Sequence, residues 1–372
     1  VGASVAHHLI DAGWDDIVGL EKSAIPTDIG STSHASDFCY MTSHDKLNVF
    51  TSNYSREFYK SRGNYIQIGG MEVCRKGDDE RWQELLRKVA SGKAFGTKAH
   101  MISAGEAKER FPLIEEDLIQ GAMWDPDAGL VTPRSQKVAG DLVDEAEAAG
   151  KLQTFSYTPA ERIIVKDGRA IGVETSKGTI MADHIILCAG IWGSLVAGTA
   201  NIKLPLIPVE HPLLFFGPWD ALKGSGKDIV YPLFRDQSNS AYVRDTGDPL
   251  TPEGGLLEWG YYEPFNPRLV LPEEIAEPDE ARLSPSMRDL TLDQVLDAFE
   301  KSVELTPVLA ELGWEERRSF NGLLSVTTDG GSVIGEVPDV KGLWCCEAVW
   351  VKDGPGAGKL LADWMTNGRP HM

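Results

Sequence analysis

Val1-Gly2-Ala3-Ser4-Val5-Ala6-His7-His8-Leu9-Ile10, then Ile17-Val18-Gly19-Leu20-Glu21-Lys22, then Gly30-Ser31-Thr32-Ser33-His34-Ala35: these three runs decide the fold of the chain. The first reads as an amphipathic helix entered through a glycine. The second is a short apolar strand that ends in an acid. A glycine-led helix, a strand and a terminal carboxylate in that order form the second half of a dinucleotide-binding βαβ unit. There the helix N-terminus faces a pyrophosphate, and an acid about 20 residues on accepts the ribose 2′-OH. Strands often end in an acid for no such reason, but the distance of Glu21 from Gly2 favours the ribose role. The preceding strand and the leading glycines of G-x-G-x-x-G are expected to be missing, with the chain opening inside the fingerprint. Val1, Gly2, Glu21 and Lys22 are therefore candidate cofactor contacts.

Working outward, 372 residues suit two interleaved domains better than one small core. An apolar content of 42% and a charged content of 25% are ordinary for a globular protein. The net charge of −20 disfavours nucleic acid and anionic membranes as partners. No apolar run reaches the roughly 18 residues of a membrane span. The five cysteines are odd in number and lack metal-ligand spacing; three of them lie in apolar strand-like runs and read as small buried residues in a reducing compartment. That favours the cytoplasm, or the mitochondrial matrix in a eukaryote. No His, Cys or carboxylate set suggests a metal, and no Gly-x-Ser-x-Gly or Walker loop points to a hydrolase or kinase.

Along the chain, Leu47 to Arg62 reads as a helix whose Phe50, Tyr54, Phe58 and Tyr59 recur at core-facing spacing. Tyr65 to Val73 is a strand interrupted by Gly69-Gly70, and Asp79 to Gly92 an amphipathic helix. Ser103 with Glu106 forms a capping box. Thr132 is expected to cap a helix that opens at Pro133 and runs to Ala149. Asp167-Gly168-Arg169 is a hairpin turn, and Ala160 in the approach to it is a further candidate cofactor contact. The apolar run ending at Ala189-Gly190 is a second place for close backbone approach to a dinucleotide. Leu204 to Trp314 is strand-rich and turns helical from Leu292 to Leu312. A strand, a Gly-rich turn (Gly354, Gly356, Gly358) and a helix close the chain.

Taken together, these motifs resemble the glycine oxidase/D-amino-acid oxidase group of FAD enzymes. The likeness is strongest to the flavin half of the dimethylglycine oxidase/dehydrogenase and sarcosine dehydrogenase branch, and it runs nearly the whole chain. It implies an α/β fold, a Rossmann-like FAD-binding domain interleaved with an antiparallel-sheet α+β substrate domain. Residues 1–60, 140–200 and 320–372 would bind FAD, and 61–139 and 201–319 would form the substrate domain. In that branch the His of Gly-Ser-Thr-Ser-His carries FAD covalently through its 8α-methyl group, which falls here on His34, with Ser33, Ala35 and Tyr40 around it. The branch often continues Ala-Pro-Gly, whereas this chain has Ala35-Ser36-Asp37. The closing turn, Val351-Lys352-Asp353-Gly354, would face the flavin pyrimidine, where a helix N-terminus stabilises negative charge.

The resemblance also supplies catalytic candidates. His211, in Pro208-Val209-Glu210-His211-Pro212, matches a histidine beside the flavin; as an isolated residue it would read as a strand histidine. An ammonium must lose its proton before hydride leaves the carbon beside it, and a neutral imidazole can take that proton. Tyr262 matches an active-site tyrosine, but Tyr261 lies on the opposite strand face and a one-residue slip exchanges them. The implied reaction is oxidative demethylation of a dimethylglycine- or sarcosine-type amine, with hydride passing to flavin N5. Oxygen or an electron-transfer flavoprotein would accept the electrons, and tetrahydrofolate would enter only through a further C-terminal domain. A related FAD amine oxidase with another amine, or a non-catalytic regulatory subunit on the same fold, is the alternative.

Overall fold

A computed structural model describes residues 1–248, 255–275 and 284–372. The strand-rich stretch expected from Leu204 to Trp314 therefore includes two short segments outside the described residues. The opening helix, Gly2–Asp11, leads to the strand Ile17–Leu20, which pairs in parallel with Leu152–Phe155. A second parallel pair joins Ile185–Leu187 to Leu343–Glu347, with Val333–Glu336 antiparallel on the far edge. Val5 and Leu9 of the opening helix pack with Ile17 and with Ile186 and Cys346, so one helix covers both parallel groups. Parallel strands covered by helices are the expected dinucleotide-binding architecture.

The second half is a nine-stranded sheet. Each neighbouring pair is antiparallel except Leu233–Asp236 beside Gly70–Arg75. Met71, Val73, Phe234, Val243, Leu257 and Trp259 on one face pack against Ala298 and Leu305 of the helix Leu296–Leu305. The expected continuous helix from Leu292 to Leu312 is instead a short 3-10 turn followed by Leu296–Leu305 and Val308–Leu312. Pro307 has no N–H to extend the first helix, and it sits at the start of the second, where none is needed.

Local details both follow and correct the sequence. The Ser103/Glu106 capping box forms. Gly69 breaks the Tyr65–Val73 run at φ 81°, where a Cβ would stand 2.3 Å from Trp124. Thr132 is not the cap of the next helix. That helix is Ser135–Ala148, and Thr132 donates its hydroxyl to Asp228 instead. Its first amide, from Ser135, is met by the Asp37 carboxylate at 3.0 Å. A distant acid thus replaces a local cap. The anticipated domain boundaries at 140 and 320 also fall inside ordered packing. Residue 140 lies within Ser135–Ala148, and Phe320–Thr327 hydrogen-bonds into the nine-stranded sheet.

Candidate active site

Strand alternation builds the centre of the site. With Met71, Phe234, Val243 and Trp259 turned to the core, period two sends Glu72, Arg235, Tyr242 and Glu258 to the other face. Register then aligns them across strands: Glu72 opposes Arg235, Arg235 opposes Tyr242, Tyr242 opposes Gly260, and Gly260 opposes Leu213. His211 lies two residues from Leu213 and Tyr262 two from Gly260, so they meet on the same face. Their rings are 4.4 Å apart. Trp350 closes on Tyr262 from the C-terminal segment at 5.9 Å. Tyr261 turns the other way, into the core beside Trp259, with its hydroxyl on Glu263. Tyr262, not Tyr261, lines the cavity.

The electrostatics of this face are set by burial. Glu72 is fully buried, accepts from Lys88 at 2.7 and 2.8 Å, and has Arg235 at 3.4 Å. Burial pushes its carboxyl up, but the two cations outweigh burial and hold it below the usual range. Two cations against one anion leave a positive balance at the cavity wall. The Arg235 guanidinium lies 4.4 Å from the Tyr40 ring centre, and its Nε has no hydrogen-bond partner. A buried, unpaired donor on a cation is a strong anion ligand. Burial lowers His211 to about 3, helped by neighbouring His34 and Arg235 and opposed by the Tyr261 carbonyl. The imidazole is therefore neutral at physiological pH.

The same cavity, about 1460 Å³ in volume, continues to the parallel strands and is lined by Val1, Gly2, Glu21, Lys22, His34, Ala35, Tyr40 and Ala160. Val351, Lys352, Asp353 and Gly354 line it as well. Glu21 follows its strand directly, takes the Ser23 amide at 3.0 Å, and is raised by burial. Lys22 sits over the Trp192 ring. Tyr40 is 4% exposed and its hydroxyl lies 3.0 Å from the carbonyls of both Met71 and Leu233, so it braces the sheet while its ring faces Arg235. Ser33 does not line the cavity; its hydroxyl donates to the Gly30 carbonyl and fastens the turn. His34 points into the cavity wall with Nε2 3.1 Å from Ser286 Oγ, and burial lowers it to about 4.

One expectation about glycine-rich backbone is refined and one changes. Ala189 and Gly190 line the cavity, but their amides donate to Glu347 at 2.7 and 2.8 Å. At the C-terminus, Gly354 begins the helix Gly354–Asn367, so Gly356 and Gly358 are helical. A Cβ at Gly356 would stand 2.3 Å from the Thr51 carbonyl oxygen, and one at Gly358 2.6 Å from Ser4 Oγ. Those glycines serve helix contact; only Gly354 among the three lines the cavity.

Sequence reasoning missed Arg235, Tyr242, Arg134 and Glu347. Arg235 had a signal, a charge at the inward parity of an apolar strand. Arg134 had none: its Nε meets the Asp37 carboxylate at 2.9 Å, and its Nη2 reaches the carbonyls of Ser33 and Ala35, clamping the loop that carries His34.

Comparison with known proteins settles the family. The profile of the DAO family, FAD dependent oxidoreductase, matches residues 1–364. The chain belongs to this FAD-dependent oxidoreductase family. Human mitochondrial sarcosine dehydrogenase is 27% identical over all of this chain and 39% of its own length. The 4-methylaminobutanoate oxidase (formaldehyde-forming) of Paenarthrobacter nicotinovorans is also 27% identical, over all of this chain and 43% of its own. The mouse pyruvate dehydrogenase phosphatase regulatory subunit is 28% identical, over 40% of its length. The chain thus spans about two fifths of these relatives. Among solved structures, glycine oxidase from Geobacillus kaustophilus superposes with a TM-score of 0.73 at 19% identity, covering 100% of this chain and 93% of that one. The L-proline dehydrogenase of P. horikoshii gives 0.78 at 22%, over 99% and 91%. Both carry the same α/β fold with its large mixed sheet.

The residues present fit the family's FAD. Glu21 and His34 both line the one cavity, and the closing helix presents its N-terminus to it at Gly354. The Nε of Arg235, without a hydrogen-bond partner, faces a second ligand's place in the same space.

Proposed function

We propose that this protein oxidises an N-methylated amino acid of the sarcosine, dimethylglycine or methylaminobutanoate kind at its N-methyl carbon. The observation that carries this reading is the pairing of a half-buried cation, Arg235, whose Nε has no hydrogen-bond partner, with a neutral buried imidazole, His211, on one wall of the flavin cavity. Arg235 takes the substrate carboxylate, with Lys88 and Glu72 holding the guanidinium's surroundings in place. Tyr262 and Trp350 pack around the amine and exclude water. His211 takes the ammonium proton, freeing the lone pair that drives hydride loss. Bound FAD supplies the two-electron acceptor. His34 is the attachment point for its 8α-methyl: a neutral imidazole is the nucleophilic form, and burial keeps this one neutral. The names of sarcosine dehydrogenase, 4-methylaminobutanoate oxidase and the mitochondrial dimethylglycine dehydrogenase of Rattus norvegicus, 26% identical to this chain, support the substrate class.

The test begins with acid precipitation of the purified flavoprotein, where colour in the washed pellet marks a covalent link and its loss in His34→Ala places it. Anaerobic addition of sarcosine, dimethylglycine and 4-methylaminobutanoate should bleach the flavin, while glycine and proline should not. Re-oxidation by oxygen or by an electron-transfer flavoprotein then identifies the acceptor. Arg235→Lys should raise the amine concentration needed for half-maximal bleaching by about 10- to 100-fold, the loss of a charge-assisted fork. A flavin that no N-methyl amine bleaches would favour the second reading, a regulatory subunit, which the 28% identity to the mouse phosphatase regulatory protein supports.

A further inference from the structure

The His34 ring is held from several sides. Its Nε2 lies 3.1 Å from the hydroxyl of Ser286, which is fully buried, and that hydroxyl lies 3.1 Å from Ser284 Oγ. Phe320 meets the ring edge-on at 5.5 Å. Cε1 and Nδ1 sit over Gly322, where a Cβ would stand 2.8 and 3.0 Å from them. Leu323, the next residue, fixes the spacing of the two partners. Its amide donates to the Ser286 carbonyl at 2.8 Å, and its carbonyl accepts the Ser31 hydroxyl of the flavin loop at 2.5 Å. Arg134 clamps the same loop at Ser33 and Ala35. Phe320 and Gly322 line the flavin cavity and Ser286 does not, so Nδ1 faces the cavity while Nε2 faces protein. Beyond the residue's own backbone, Nδ1 has no hydrogen-bond partner among the described residues.

The geometry points to Ser286, backed by Ser284, as a positioning residue that selects which imidazole nitrogen takes the flavin. It holds Nε2 as the N–H nitrogen and leaves the Nδ1 lone pair for the 8α carbon. This rests on the covalent attachment proposed above. In that step one 8α C–H proton leaves, the Nδ1–C8α bond forms, and the Nε2 proton passes to Ser286 Oγ. The electron pair of the broken C–H bond stays on the flavin ring. Dioxygen takes that pair with two protons and becomes hydrogen peroxide. A hydroxyl suits both ends of the step, because it accepts from Nε2–H before it and donates to the Nε2 lone pair after it. Ser284 is half-buried and passes the surplus proton outward. Without that acceptor the alkylated ring would remain a cation, which burial and the nearby Arg134 both oppose.

The test uses the purified full chain with its FAD, grown on nitrogen-labelled histidine. In the isolated flavin peptide, the 8α protons should correlate with the nitrogen that also couples to the histidine β protons, which is Nδ1. A link at Nε2 would overturn the assignment. Ser286→Ala should slow the conversion of acid-released to acid-retained flavin in air by about 3- to 10-fold, the loss of one hydrogen bond. It should also yield peptides linked at both nitrogens, a readout that a general loss of stability does not imitate. Ser286→Thr keeps the hydroxyl and should restore the rate and the single link. Conversion at the parent rate with a single Nδ1 link in Ser286→Ala, or equal slowing by Ala and Thr, would overturn the role of the serine. If the parent holds its flavin without any covalent bond, the attachment reading fails by itself. His34 Nε2 of that holoprotein should still appear in the nitrogen spectrum as the protonated nitrogen and shift in Ser286→Ala. An unprotonated or unmoved Nε2 would then overturn the serine's role separately.

Discussion

Gly322 lies under the His34 imidazole, and the absence of a side chain there is what lets the ring settle. A Cβ would stand 2.8 Å from Cε1 and 3.0 Å from Nδ1. Gly322→Ala should therefore displace the ring from Ser286 and lower the fraction of flavin held in the acid pellet, while the melting temperature falls by only a few degrees. Asp37 shows the same economy of position. Its backbone sits at φ 60°, a conformation aspartate tolerates better than most residues, and its carboxylate holds both Arg134 and the Ser135 amide. Burial pushes that carboxyl up and Arg134 pulls it down. His34 was legible in the sequence from its run of neighbours; Arg134 was not, because its partners lie about 100 residues away in the chain.

The closing helix is the element whose sequence misleads most. Gly-x-Gly-x-Gly reads as a ligand-binding turn, yet it is the first turns of Gly354–Asn367. Gly358 touches Ser4 of the opening helix, and the Gly356 amide donates to Ser55 Oγ at 2.9 Å. Gly358→Ala illustrates the balance. Helix propensity alone would favour alanine by about 1 kcal/mol. The new methyl would push against Ser4 Oγ and its backbone, so the net effect should be a loss of about 1–3 kcal/mol, measured as a lower urea midpoint. A gain in stability would show that the helices separate easily. The two strands carrying Arg235 and Tyr242 are the opposite case: alternation makes their inward residues readable, but not which inward residues meet.

Across the whole molecule, Glu347 ties the C-terminal strand to the turn after Ile185–Leu187, through the amides of Ala189 and Gly190. It is 1% exposed, and burial raises it to about 7 from an ordinary 4.5, against the pull of those two amides. Between pH 4.5 and 7 the folded chain keeps a proton that the unfolded chain has released. This residue's contribution to stability is therefore greatest at low pH and declines as pH rises through that window, by about 3 kcal/mol. Glu347→Gln should flatten the difference between denaturation midpoints at pH 5 and pH 8. At pH 5 it should cost about 1 kcal/mol, since an amide presents one acceptor to two donors. An unchanged pH slope would show that other groups set it.

Local pattern by itself determined the parts whose cause is local: the glycine-led helix and its acid at Glu21, the Ser103 capping box, the flavin-loop run and the alternating strands. The physical reason is that capping, turn geometry and strand parity depend on residues within a few positions of each other. Tertiary structure alone decided the cap of Ser135 by Asp37, the burial that keeps His211 and His34 neutral, and the choice of Tyr262 over Tyr261. It also decided the row from Glu72 to Leu213. Register and burial arise when distant strands come together, and desolvation, which sets the charge on each of these groups, exists only once they have.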